Sequence, residues 1–369
     1  MNIPPRRVAL PLAAILGFAA IFMGLWLPPP PEPPARFRVE LEVPPVEAAL
    51  WFVDRYPEYF TSGEDGFESW LEGLPKRDRE FVLAMGQTLA WAWVERELAG
   101  FDERDPEGLA REATSVVRAK TLNQLEIKIE HFGAEEDEIG YLAYVGDPRF
   151  GDGVFARLVR GGTNCEGQNH LLALLLDTAL EPALAWAPQL DVNMASIRSG
   201  HELVLVTGPT LDQPIFADAW SNFPAFTVDP SRPRAAPLLG ELGDPPPAVV
   251  PGVPGRAPHP ASFYAQSTVT SIVLVPERRA PTLPVSLEVR APALDEASLA
   301  RIEDPWRLYL FARVLHLYDD PRAASLYQLV LERYCDPPPT RRNFVCAASK
   351  ALVGRAAQSV GVAQRAPSE

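Results

Sequence analysis

The sequence predicts an α+β protein: a helix that starts on a cysteine packs against an antiparallel sheet, helical segments flank it, and one N-terminal transmembrane helix precedes it. Three observations carry this expectation. Cys165 stands just ahead of a leucine-rich run, Leu171, Leu172, Leu174, Leu175 and Leu176. The segments 201–206 and 214–220 read as neighbouring strands across a Gly-Pro-containing loop. Before and after this stretch, apolar residues recur at helical spacing and Asp-Pro pairs mark helix starts.

In chain order, residues 1–7 form a cytoplasmic stub ending in Arg6 and Arg7. Val8 to Leu27 then runs 20 residues without a charge, enough to cross a hydrocarbon core of about 30 Å as a helix. No basic residue follows until Arg36. The positive-inside rule therefore leaves the N-terminus cytoplasmic and the remainder on the extracytoplasmic, periplasmic side of a single-pass membrane protein. A cleaved signal peptide is the competing reading. Against it, the run is long and closes on Gly24-Leu25-Trp26-Leu27-Pro28 without a small-x-small site. Residues 28–45 are a linker in which Pro28 to Pro34, interrupted only by Glu32, makes a stiff polyproline spacer.

Residues 46–135 read as a helical segment. Val82, Met85, Leu89 and Trp93 recur at helical spacing, and Val117, Leu122 and Leu125 do so less regularly; Trp91 and Trp93 are expected in the core. The acidic cluster Glu135 to Glu138 reads as a solvated loop, since it lacks calcium-ligand spacing.

The core is placed at 136–276. Gly161 and Gly162 supply a turn, and Thr163 and Glu166 stand at capping-box spacing. With Thr163 as N-cap, Cys165 falls at the second helical position, where free N–H groups and the helix dipole favour a thiolate. The helix is expected to end before Pro182. The plainer reading of Cys165 is a buried small hydrophobe. His201 follows 36 residues later, opening one strand, and Asp218 another 17 later, closing the next. Pairing Val206 with Gln213 sets His201 opposite Asp218 on one face of the sheet. A one-residue slip would separate them, and a strand histidine and a turn-forming aspartate are the plainer readings of the two. Nine prolines between 231 and 260 mark a long loop, and Thr268 to Val275 reads as a further strand.

Residues 277–297 form a linker to a helical C-terminal region, 298–369. Asp304-Pro305 and Asp320-Pro321 each place an N-cap ahead of a proline suited to the first helical position, and a third helix starts from about Arg341. Two starts 16 residues apart are too few for a repeat, so a plain helical subdomain is expected. Cys335 and Cys346, 11 apart, suit a disulfide across a helix–helix connection in an oxidising compartment, leaving Cys165 as the free thiol; three reduced cysteines are the alternative. His131, His259 and His316 have no partners at any recognisable spacing. A Cys165/His170/His201 metal set lacks the short paired spacings of zinc sites. No metal or cofactor is expected. A net charge of −14 without a basic face disfavours nucleic acid.

The Gly-rich turn, the cysteine opening an apolar helix, the histidine opening a strand and the aspartate closing the next together resemble the transglutaminase-like superfamily, over about residues 136–225. The chain has Leu203 two residues after the histidine, where many members carry an aromatic, and Ala219-Trp220 after the aspartate, where many carry proline. The resemblance implies a papain-like α+β core that forms a thioester with an amide carbonyl. Cys165 is then nucleophile, His201 general base and acid, and Asp218 the orienting carboxylate. The implied activity is a membrane-anchored, envelope-facing cysteine amidase acting on a peptide or protein amide, by hydrolysis or acyl transfer. Its oxyanion would meet the Cys165 backbone N–H and a second donor, for which Gln124 and Trp220 are candidates. The other class is a non-catalytic envelope scaffold or binding protein that keeps the fold. A scaffold has no need of the three residue types in order, which favours the enzyme.

Overall fold

The computed structural model describes residues 37–61, 64–101, 105–123, 153–163, 165–184, 190–197, 201–211, 214–220, 223–228, 235–237, 268–272, 282–283, 289–335 and 344–363. The expected anchor at 8–27, the polyproline stretch, the acidic cluster, Gln124, Leu125, His131 and His259 lie outside these residues. Among the described residues, no helix is long and apolar enough to cross a membrane.

The chain is α+β. Its N-terminal helices are α1 (Pro45–Arg55), α2 (Glu58–Thr61), α3 (Glu64–Gly73), α4 (Lys76–Leu98) and α5 (Pro106–Lys120). Val82, Met85, Leu89 and Trp93 all lie buried on α4, as does Trp91. Asp105 caps α5 by accepting from the N–H groups of Glu107 and Gly108, with Pro106 in the first turn. Leu122 is not part of that helix. It begins β1 (Leu122–Asn123), because α5 stops at Lys120 and Thr121 turns extended. Residues 37–43, read from sequence as linker, are drawn onto the helical body: Val39 is buried and its N–H donates to Thr88 Oγ1 at 2.8 Å.

A helix unforeseen from sequence, α6 (Gly153–Arg160), leads through Gly161 into β2 (Gly162–Thr163), which pairs in parallel with β1. Thr163 is thereby committed to a strand. The nucleophile-bearing helix, α7 (Cys165–Leu184), starts on Cys165 itself rather than on an N-cap at Thr163. It also runs through Pro182. That proline cannot donate to the residue 178 carbonyl and crowds it, and the helix ends two residues later, at Leu184. Leu171 to Leu176 are buried all round. At about 1.5–3 kcal/mol per buried leucine, this run anchors the helix firmly.

Helix α7 packs on β3 (Asp191–Ile197), β4 (His201–Thr207) and β5 (Ile215–Asp218). With β6 (Phe223–Val228), β7 (Ala235–Pro237) and β8 (Thr268–Ile272), these strands form one antiparallel sheet in the order β7-β6-β5-β4-β3-β8. Strands β3, β6 and β7 were not read from sequence. Strand β7 falls inside the proline-rich stretch and takes an edge position, where Pro237 needs no ladder donor. Val204, Val206, Ile215 and Ala217 point from the sheet into the shared core.

The C-terminal helices are α8 (Glu296–Ala300), α9 (Pro305–Leu317), α10 (Arg322–Tyr334) and α11 (Phe344–Ala363). Asp304 caps α9 through the Trp306 N–H at 3.0 Å. Asp320 accepts from the Arg322 N–H at 2.9 Å, though α10 begins one residue later than its Pro321 suggests. A Cys335–Cys346 disulfide joins the end of α10 to α11. These helices are not a subdomain of their own. Helix α9 packs on α1 and α6, and its buried side chains belong to the same apolar core as those of α4 and α7. Residues 36–369 accordingly form one compact unit.

Candidate functional site

Cys165 is the free cysteine, half-buried at the first turn of α7. His201 opens β4 and Asp218 closes β5; both are buried, Asp218 completely. The His201 Nε2 and Asp218 Oδ2 atoms stand 2.6 Å apart. The Cys165 side chain hydrogen-bonds the same imidazole. With Nε2 engaged by the carboxylate, Nδ1 is the ring nitrogen left for the thiol. The structure therefore brings together the three residues that sequence singled out.

It does so in a different register. Val204 pairs with Ala217, Leu205 with Phe216 and Val206 with Ile215, so the ladder is displaced by two residues from the expected Val206–Gln213 pairing. A two-residue shift keeps the side-chain faces unchanged, whereas a shift of one would reverse them. In this register Trp220, just beyond β5, is the residue across from His201, and its ring lies 5.0 Å from the imidazole. Asp218 reaches His201 on the diagonal. The β5–β6 ladder is irregular between Phe216 and Asp218, and such an irregularity re-aims the strand end.

Asn169, missed in the sequence, ties the helix to the carboxylate. It is fully buried. Its Nδ2 donates to Asp218 Oδ1 at 3.1 Å and to the Glu202 carbonyl at 2.7 Å, and its Oδ1 accepts from the Ala219 N–H at 2.9 Å. The Trp220 N–H also donates to Asp218 Oδ1, at 3.0 Å. Asp218 thus meets Asn169 and the Trp220 amide on one oxygen and His201 on the other. Asn169 lies four residues after Cys165, one helical turn onward on the same side. That spacing was the available signal.

The electrostatics follow from these contacts. Burial alone pulls the His201 pKa down. The Asp218 charge and hydrogen bond, with the Cys165 contact, outweigh it and push the pKa up to about 10. His170 is governed oppositely. Burial and the Arg157 charge lower its pKa to about 3, and Arg157 Nη1 lies 2.9 Å from His170 Nδ1. A ring nitrogen engaged by a guanidinium is turned to structure, not to a metal. Among the described residues, no group of three or more His, Cys, Asp or Glu side chains is arranged to hold a metal ion. His316, also buried, places Nδ1 within 3.2 Å of Arg313 Nη1 and 3.3 Å of the Tyr327 hydroxyl.

The chain matches no protein-family model, no curated protein and no solved structure. A thiol at a helix start, an imidazole reaching it and a buried carboxylate behind the imidazole have the parts of a nucleophile–base–orienter set.

Proposed function

We propose that the protein is a transglutaminase-like cysteine enzyme that acts on peptide or protein amides through a thioester. The observation that carries this reading is the imidazole of His201, held by Asp218 on one side and hydrogen-bonded to Cys165 on the other. The thiol proton rests on His201, whose raised pKa favours holding it, and the sulfur forms a bond to the amide carbon as the carbonyl electrons move to oxygen. The Cys165 backbone N–H, without an intrahelical partner at the first turn, would serve as a donor to that oxyanion. When the carbonyl re-forms, the C–N bond breaks and His201 returns the proton to the leaving amine. Water or a second amine then attacks the thioester, giving hydrolysis or a new amide, and Cys165 departs and is reprotonated. The protonated imidazole favoured by Asp218 suits the acid half of this cycle.

The same proposal places the unit outside the cytoplasm, tethered by residues 8–27. The Cys335–Cys346 disulfide supports an oxidising compartment. Mass analysis of the membrane fraction tests the tether, since loss of the first 27 or so residues refutes it. The enzyme reading is tested by alkylation of Cys165 with iodoacetamide at neutral pH. Fast modification is expected in the native protein and slow modification in His201→Ala. Equal rates in the two proteins would sink the reading.

A further inference from the structure

The segment that delivers Cys165 is held by a helix lying 149 to 155 residues further along the chain. Helix α6 ends at Arg160, and the last four carbonyls of any α-helix lack intrahelical partners. Here all four are taken. The Gly161 N–H donates to the Arg157 carbonyl at 3.0 Å. Arg313 Nη2 donates to the Leu158 carbonyl at 2.6 Å, and its Nε to the Val159 carbonyl at 3.2 Å. The Tyr309 hydroxyl donates to the Arg160 carbonyl at 2.5 Å. Arg313 and Tyr309, both on α9, thus supply three of the four bonds.

Gly161 shows how closely the clamp is fitted. Its φ is +79°, a region that disfavours side chains, and an added Cβ would lie 2.4 Å from Arg313 Nε and 2.6 Å from its Cζ. The guanidinium therefore lies directly against the turn that precedes Cys165 by four residues. Arg313 is fully buried, and no described carboxylate pairs with it. Its Nη2 also donates to the Lys120 carbonyl, the end of α5, at 2.6 Å. The charge is compensated by the negative ends of two helices, α5 and α6. Lys120 returns the arrangement, donating to the His316 carbonyl near the end of α9 at 3.1 Å.

We propose that Arg313, assisted by Tyr309, is the positioning residue that sets Cys165 against His201, making helix α9 part of the framework of the reacting centre. This rests on the thioester reading above. Asn169, Gln168 and His170 fix the body of α7 beyond Cys165, and the approach through Gly161 restrains the chain on the other side of the thiol. A misplacement of about 1 Å between reacting groups costs about 100-fold in rate.

The test measures alkylation of Cys165 by iodoacetamide at neutral pH in the full chain with its disulfide intact, so that Cys165 is the available thiol. The proteins are the native chain, Arg313→Lys, Tyr309→Phe, His201→Ala and each α9 variant combined with His201→Ala, with native folding followed by thermal unfolding. Arg313→Lys keeps the charge but not the fork. It is expected to slow alkylation toward the His201→Ala rate, by up to about 100-fold, and Tyr309→Phe to slow it less. Adding either to His201→Ala should produce no further loss, because both act through the thiol–imidazole pair. A role in stability alone would not show that non-additivity. Folded variants that alkylate at the native rate, or that slow the His201→Ala protein by the same factor as the native one, overturn the proposal. Should Arg313→Lys not fold, Tyr309→Phe decides alone. A native rate no faster than His201→Ala overturns the thioester reading, and this inference with it. A fast native protein with unaffected α9 variants overturns this inference only.

Discussion

At the residue scale, the site is an argument about one imidazole. Burial works against a charged His201, and Asp218 reverses that balance so that the pKa stands at about 10. Replacing Asp218 with Asn keeps the size and removes the charge. Burial then meets only the Cys165 contact in opposition, and the His201 pKa is expected to fall well below about 10. Following the His201 Cε1–H resonance through a pH titration checks this; a D218N midpoint still near 10 would contradict the assignment of Asp218 as the cause. The sign for stability follows. A raised histidine pKa contributes stability that is complete below about pH 6.5 and is lost as pH climbs toward about 10. Asn169→Leu makes a second expectation. It leaves the Ala219 N–H without its Asn169 acceptor, at about 1–3 kcal/mol for a buried group stranded. It also frees Asp218 Oδ1 from one of its donors. Chemical unfolding and the Cys165 alkylation rate should both show the loss, and a variant changed in neither would refute the role given to Asn169.

At the scale of elements, how much was legible depended on whether the signal was local. The Asp304-Pro305 start, the apolar spacing of α4 and the Cys335–Cys346 pairing are written within a few residues of each other, and all three were readable. The register of β4 on β5 was not, because the loop and apolar pattern permit shifts of two that leave every face intact. His201 and Asp218 kept a common face through that shift for the same reason. Strand β3 was missed, although it pairs along the whole of β4. Capping between distant helices was invisible as well: nothing near residue 160 announces that its carbonyl meets Tyr309. The same helix ends carry a prediction about acid. His316 is buried among Arg313, Lys120 and Arg355, and burial, the largest effect, joins their charges in holding its pKa well below 6.5. His170 is likewise held down, at about 3. Both rings are neutral when folded and take up protons when unfolded. Their contribution is therefore complete above about pH 6.5 and declines below it, by up to about 1.4 kcal/mol per pH unit for each. Denaturant unfolding between pH 7 and 5 should show this slope, and His316→Gln should flatten it. An unchanged slope in that variant would remove His316 from the account.

For the unit spanning residues 36–369, the boundary most plainly suggested by the sequence was the change of character near residue 297, and there the expectation of a separable helical region fails. The reason is packing that no local pattern records. Tyr309, Phe311 and Leu315 of α9 are buried in one core with Phe52 of α1, Phe155 of α6 and Leu171 of α7. Phe344 of α11 closes over Trp306 and Tyr309, with ring centroids 5.5 and 5.7 Å apart. Arg355 reaches the carbonyls of Arg118, in the last turn of α5, and Thr121, just beyond it, at 3.0 and 2.8 Å. A fragment ending at residue 297 would uncover all of these faces and remove the side-chain donors from the carbonyls at the ends of α5 and α6. Each aromatic side chain returned to water costs about 1.5–3 kcal/mol, and each carbonyl bond exchanged for water about 0.5–1.5 kcal/mol, against a total stability of about 5–15 kcal/mol for a folded domain. The fragment 36–297 is therefore expected to lack a cooperative thermal transition and native near-ultraviolet dichroism, and its Cys165 to alkylate like an ordinary thiol. The parent 36–369 should show both signatures. A fragment that unfolds cooperatively, with Cys165 still dependent on His201, would show that the C-terminal helices are an accessory layer and that the site is complete without them.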